Sequence, residues 1–385
     1  MSRIPEWHII TCEYPPKIGG VSDHTWLVAR GLAREGDRVH VWCPSGENAE
    51  RSIPGVSVDP VLGSVDIRGL RCLGRRLDQF EGPRRLLVQW VPHGYGYGSM
   101  NLAFCLWLWS RAKRSHDEVD IVVHEPFLPF RGGSWKQYVA AGVHRLMATI
   151  ILHAASRIWI TIPAWEQCLR PYMLRRRVPV QWLPIPSNVE CSELRAETST
   201  NDAELNAKPQ VLGHFGGLNS SVSEMVEPLI SPLLRGHSNR SLILIGRDSL
   251  KFRTRIVDQN PGLSHQIHAT GELPPGELSS WIETCSIMIQ PYPDGVSSRR
   301  GTAMAGLCHG VPVVTTKGTL TEELWEQSGA VGLAPAGDVI QLLNMTNDLL
   351  ANAQKRTEMS IRARQFYAER FDVRHTIRAL RSTYE

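Results

Sequence analysis

The chain has 385 residues and a formal net charge of +4. That length exceeds one ordinary hydrophobic core and suits two domains. The near-balanced charge excludes the profile of a nucleic-acid binder or an acidic interaction tail, and the composition is that of a soluble globular protein.

The eight cysteines are scattered, with no CxxC pair and no metal-ligand spacing. Several lie in apolar runs, so they read as reduced core thiols of a cytosolic protein, with no metal centre. The amino terminus, MSRIPEWHIITCEYPP, has no long apolar segment, and no signal peptide is expected. No stretch reaches the roughly 20 apolar residues of a membrane span.

The first strand is predicted over residues 7–11. A Pro/Gly-rich loop follows, then a helix over about 22–35 that Gly36 ends, then the strand RVHVWCP. This βαβ start places Gly19 and Gly20 in a strand-to-helix loop. Paired glycines let a backbone approach a ligand closely, and a plain tight turn accounts for them equally well. GxGxxG is absent, so this is no dinucleotide fingerprint. LLVQWVP (86–92) and VDIVVHEP (119–126) read as buried strands. The loop HGYGYGSMN follows the first of them. Its Tyr95 and Tyr97 would suit a carbohydrate face, against the alternative of an ordinary mobile loop. His124 and Glu125 close the second strand at its carboxyl end. That place favours function over a core histidine.

LAFCLWLWSRAKR (102–114) reads as a helix. It could rest on a membrane surface, though a buried helix with a basic end is the simpler account. Residues 155–169 are a strand entering a helix, Arg175–Arg177 a solvated helix end, and 180–188 the last strand of the first half. The composition turns polar and acidic over 189–209. The organisation is therefore a first domain over 1–190, a linker over 191–209 and a second domain from 210 to 365. The second domain begins with a strand entering a Gly216-Gly217 turn. A helix, the strand SLILIG with Arg247 after it, a further helix, QIHATGEL and a short helix follow. The pattern is βαβα in both halves, which predicts an α/β fold of two doubly wound parallel sheets facing across a cleft.

Residues 287–316 read as strand, loop, helix and strand, so PDGVSSRR lies at a strand's carboxyl end and a helix's amino end. Arg299 and Arg300 stand where the helix dipole disfavours cations and favours an anion. With Ser297, Ser298 and the backbone N–H groups they would suit a diphosphate. Two solvated arginines are the plain alternative.

These pieces together resemble the GT-B glycosyltransferases, especially retaining family 4. The resemblance rests on EYPPKIGGVSDHT, GHFGGL, LILIGR, ATGELPPGELSSW, IMIQPYPDG and AMAGLCHGVPVVTT in that order. The closing stretch, 366–385, resembles the family's last helix, which crosses back to the first domain. The resemblance implies transfer of a sugar from a nucleotide-diphosphate sugar with retained configuration, no metal and no other cofactor. The family's two motif glutamates read here as Asp294 and Thr302. The Arg and Lys often found after the second glycine pair are also missing, and Arg299, Arg300 or Arg247 would supply that charge. The resemblance further implies that Gly19 and Gly20 lie near phosphates and acceptor. It places Asp23 at acceptor hydroxyls and His124, with Glu125 adjoining, beside the donor sugar. Glu272 and Leu273 would read the base edge.

Three functions follow in order of fit: a retaining glycosyltransferase, a degenerate GT-B binding or partner subunit, and a sugar-nucleotide epimerase or hydrolase. The expected partners are a nucleotide sugar and a hydroxyl acceptor, either glycan, lipid-linked sugar or small molecule. No nucleic acid is expected. The expected location is the cytoplasm, at most peripheral to the inner membrane surface.

Overall fold

The computed structural model describes residues 5–44, 53–63, 65–96, 99–130, 134–174, 176–191 and 209–382. The chain divides into two compact units, Met1–Pro184 with Val373–Glu385, and Ile185–Asp372. The first boundary falls at Pro184 because the residues after it pack on the second unit. Ile185 N donates to Ser298 O at 2.8 Å, and Ser187 N to the Tyr367 hydroxyl at 3.2 Å.

The strands of the first unit are β1 (Glu6–Ile10), β2 (Arg38–Trp42), β3 (Val56–Asp59), β4 (Arg85–Trp90), β5 (Glu118–Val123), β6 (Arg157–Ile160) and β7 (Val180–Trp182). They form one parallel sheet in the order β3-β2-β1-β4-β5-β6-β7. β4 and β5 are almost continuously buried, as strands covered on both faces must be. The helices are α1 (Gly20–Arg34), α2 (Ile67–Leu77), α3 (Leu102–Arg114), α4 (Trp135–Ala154), α5 (Ala164–Leu169) and, from the end of the chain, Val373–Ser382. β4-α3-β5 and β5-α4-β6 step the same way across the sheet. Right-handed crossovers therefore put α3 and α4 on one face, side by side. The closing helix packs on α1, where a Cβ on Gly31 would stand 2.6 Å from the Ile377 side chain. Arg381 adds ion pairs to Glu35 at 3.0 Å and Asp37 at 3.3 Å.

Sequence reasoning omitted β3, α2 and α4. β3 is a half-exposed edge strand, and α2 (IRGLRCLGRRL) is dense in arginine and glycine. α4 is apolar on two sides, which erases the helical period. The basic run also differs from expectation. Arg176 donates to the carbonyls of His153 and Ala155, the latter at 2.7 Å. It caps α4 rather than sitting in solvent. Arg175 lies outside the described residues.

The second unit contains β8 (Gln210–Phe215), β9 (Arg240–Ile245), β10 (Ile267–Ala269), β11 (Ile287–Gln290), β12 (Val313–Lys317) and β13 (Val331–Pro335). Their order is β10-β9-β8-β11-β12-β13. The connecting helices are α6 (Ser220–Leu234), α7 (Ser249–Gln259), α8 (Pro275–Thr284), α9 (Gly301–His309), α10 (Glu323–Ser328), α11 (Val339–Ala351) and α12 (Ala353–Arg370), so the closing helix is α13. Gly310 ends α9 at φ +66°, a left-handed cap that glycine adopts without strain. Strand order reverses between β1 and β4 in one unit and between β8 and β11 in the other. Ligands of open α/β sheets bind beyond the carboxyl ends at such points. Among the described residues no helix is long and apolar enough to cross a membrane.

Candidate functional site

In the second unit, the glycine turns after β8 and β9 and the start of α9 converge beyond the carboxyl ends of the strands. Gly216 and Gly246 have φ of +120° and +123°, which a side chain rarely tolerates. A Cβ on Gly216 would lie 2.9 Å from Thr302 Cγ2, and one on Gly246 3.1 Å from Gly216 O. A Cβ on Gly217 would meet nothing within 4 Å, so that glycine alone of this group borders open space. Gln290 Nε2 donates to Phe215 O at 2.9 Å and ties β11 to β8.

The loop 294–300 carries the charges. Arg299 donates to one oxygen of Asp294 and Arg300 to the other. Arg300 also lies over the Tyr292 ring, 4.6 Å from its centroid. Asp294, which stands for a family glutamate at the donor sugar, and the two arginines expected at the diphosphate thus form one cluster with a single excess positive charge. Asp294 is not the backbone cap that a turn aspartate usually becomes. The Thr302 hydroxyl lies 2.8 Å from the Tyr292 hydroxyl, so it already has a partner. Burial raises the Tyr292 pKa, which keeps that phenol protonated.

Ser297 and Ser298 are fully buried. Ser298 N donates to both oxygens of Glu322, at 3.0 and 3.2 Å, and its hydroxyl donates to the same carboxylate. Trp325 Nε1 adds a bond to Glu322 at 2.8 Å. Burial pushes the Glu322 pKa up, and these hydrogen bonds oppose the shift. Glu322 thus fixes the loop that presents the arginines. Sequence reasoning missed it, because its partner is 24 residues earlier. Arg247 and Glu272 are exposed and face each other at 4.0 Å. Leu273 beside them is half-buried.

In the first unit, a Cβ on Gly19 would collide with the Glu13 carboxylate. Glu13 accepts from Ser22 N at 3.2 Å and so caps the amino end of α1 from outside the helix. Gly19 is therefore required by Glu13, and the room for a ligand lies at Gly20, where nothing stands within 4 Å. Glu13 was also missed. Asp23 is half-buried in the first turn of α1.

The next residue, His24, joins this loop to the end of β5. His24 Nδ1 lies 3.2 Å and His124 Nε2 2.7 Å from Gln89 Oε1. Trp165 Nε1 donates to His124 O at 3.0 Å. Burial lowers the His124 pKa well below the usual histidine value, so the ring is neutral. Glu125 points elsewhere, pairing with His93 at 3.6 Å. Gln89, the residue that links the two histidines, was not anticipated.

Tyr95 corrects an expectation. It is fully buried, stacked on Phe104 with centroids 4.2 Å apart. Its hydroxyl donates within the fold, 2.7 Å from Gln89 O and 3.1 Å from Ile10 O. It supports the carboxyl ends of β1 and β4 and has no face for a sugar. Tyr97 lies outside the described residues.

Residues 209–352 match the family model described as Glycosyl transferases group 1. Sucrose-phosphate synthase from Thermosynechococcus elongatus has the same fold, with a TM-score of 0.74 at 14% identity over 99% of this chain and 98% of that one. The Anabaena protein HepE in complex with UDP gives a TM-score of 0.67 at 16% identity over 99% of both chains. WaaG, a glycosyltransferase involved in lipopolysaccharide biosynthesis, gives 0.66 at 13% identity over 98% of both. No curated protein matches the sequence. The fold is the expected two-domain α/β arrangement of GT-B type.

Proposed function

We propose that this chain is a glycosyltransferase. It would move a sugar from a nucleoside-diphosphate sugar to a hydroxyl acceptor, with retention and without a metal. The observation that carries this reading is the cluster at the amino end of α9. Two arginines, held on a buried and clamped loop, directly precede the helix whose Thr302 stands against the Gly216 turn, at the point where strand order reverses. HepE, of the same fold, holds UDP and UDP-glucose, which supports a nucleoside-diphosphate sugar as donor.

In this reading the second unit binds the donor. Breaking the bond between the anomeric carbon and the diphosphate leaves negative charge on the departing phosphate. Cations and helix N–H groups fixed beside that charge lower the barrier. Each guanidinium has five N–H donors, so pairing with Asp294 does not exhaust them. Arg299 and Arg300 can hold carboxylate and diphosphate together. Asp294 then orients the arginines and keeps lone pairs for a sugar hydroxyl. Arg247, Glu272 and Leu273 would meet the nucleoside end. Gly20, Asp23, His124 and Glu125 of the first unit would serve the acceptor and the transferred sugar.

One observation favours a second reading, a nucleotide-sugar binding subunit without turnover. Asp294 and Thr302, which stand for the family's two glutamates, are both engaged inside the protein. Calorimetric titration with UDP, GDP, ADP and dTDP tests the binding that both readings share. Mass spectrometry of nucleotide sugars incubated with the protein then separates them. Slow release of nucleotide is expected for the transferase. Binding without release would leave the subunit, and the absence of binding to any nucleotide would overturn both.

A further inference from the structure

We propose that the outer faces of α3 and α4 form a docking surface for an anionic lipid bilayer. At about 100° per residue, Trp135, Tyr138, Val139 and Leu146 fall within an arc of about 100° on one side of α4. Trp135 is 72% exposed and the other three about half exposed. The opposite side of the helix, with His144, Met147, Ala148 and Ile151, is already buried. A surface helix ordinarily places polar residues on its outer face. α4 instead carries a second apolar stripe there. α3 lies beside it on the same face of the sheet and continues the pattern. Phe104, Cys105 and Leu108 are buried, while Leu106 is 53% and Trp109 38% exposed. The helix expected to be simply buried is therefore buried on one side only.

Charge selects the occupant. Neither helix contains an aspartate or glutamate. Lys113, Arg114 and Lys136 are exposed around the stripe. Arg145 lies over Phe130, 3.7 Å from the ring centroid, and Phe130 stacks on Tyr138 at 6.3 Å. Arg111 is excluded from this count because Asp78 and Asp117 hold it. Of the carboxylates flanking the two helices in sequence, Asp117 is held by Arg84 and Arg111, Glu118 is half-buried, and Glu125 and Glu166 pair with His93 and Arg170. An apolar, aromatic stripe edged by cations is the layout of a helix lying in a membrane interface, where Trp and Tyr have an apolar body and a polar tip. A second copy of the chain fits poorly. A two-fold contact through this face would bring two cationic faces together, with no carboxylate on either helix to pair with them.

The inference does not depend on the transferase reading, and its test needs no nucleotide. The full chain is floated with vesicles of phosphatidylcholine, alone or mixed with phosphatidylglycerol. Binding to the mixed vesicles should be at least about tenfold tighter and should weaken with salt, since each cation near such a surface contributes about 1 kcal/mol. Trp135→Ser with Leu146→Ser should reduce binding to both vesicles. Lys113→Gln with Arg114→Gln should reduce the preference for the anionic ones. All four side chains are at the surface, so unfolding midpoints should stay unchanged and nucleotide titration should match the parent protein. Equal or absent binding to the two vesicle types overturns the proposal. So does a parent protein that self-associates in sedimentation velocity while Trp135→Ser does not, which would make the face an interface between copies.

Discussion

His24 and His124 reach the same oxygen of Gln89, and their rings meet edge to face with centroids 5.0 Å apart. With one acceptor between them, His24 donates from Nδ1 and His124 from Nε2, so each tautomer is set. Nδ1 of His124 is thereby left as the unprotonated ring nitrogen. Burial lowers the His24 pKa to about 4 and holds that of His124 well below its ordinary value. The pair is neutral at pH 7, and a neutral imidazole beside a sugar can accept or donate a hydrogen bond without adding charge.

Stability should therefore fall in acid. A histidine whose folded pKa is depressed binds fewer protons folded than unfolded. Its contribution is complete above the unfolded value and is lost as pH falls below it. For His24 the window runs from 6.5 down to about 4. His214, lowered to about 4, and His8, lowered to about 3, act in the same direction. Denaturant midpoints across that window should decline steadily, and His24→Gln should flatten the curve. A curve of unchanged slope would mean that His24 is not buried in its neutral form.

Asp294→Asn should separate two roles. It removes the charge that holds both arginines, leaving two cations at a helix amino end, where each is disfavoured by about 0.3–1 kcal/mol. Nucleoside-diphosphate affinity should stay level or rise, because the competing carboxylate is neutralised. Turnover should fall, since the sugar contact and the arginine orientation are lost together. Parallel loss of affinity and turnover would make Asp294 a structural residue of the loop.

Arg299→Ala and Arg300→Ala should weaken nucleoside-diphosphate binding by about 10- to 100-fold, the value of a charge-assisted contact of 1.5–3 kcal/mol. The nucleoside without phosphate should bind as before. Calorimetry with both ligands checks this. If each variant treats them alike, the phosphate charge is met elsewhere, with Arg247 the next candidate.

Two glycines should respond in opposite ways. Gly295 has φ +86°, and its Cβ would collide with the backbone of Gly318. Gly295→Ala should cost about 1–3 kcal/mol of stability. Gly217 borders open space, so Gly217→Ala should melt normally yet weaken donor binding if a ligand approaches that backbone. Thermal unfolding with and without nucleotide reads both effects. A Gly217→Ala protein with full affinity would remove this glycine from the site.

Most strands and helices were legible because burial leaves a local trace. Runs such as RLLVQW and EVDIVV are covered on both faces and must be apolar throughout, and Gly36 and Gly310 mark helix ends that need a left-handed residue. α4 was not legible, since apolar residues on both its buried and exposed sides leave no period to read. The site divides in the same way. The two glycine pairs and the PDGVSSRR loop were visible as turns at strand ends, because backbone demands are local. What fills those turns was not. Glu13 sits over Gly19, Glu322 clamps Ser298 from 24 residues away, and Gln89 joins histidines 65 and 35 residues from it. Tyr95 faces inward, although its neighbours suggested an open loop. Such pairings depend on which strand ends the sheet brings together, and only the tertiary structure decides which side chains then meet.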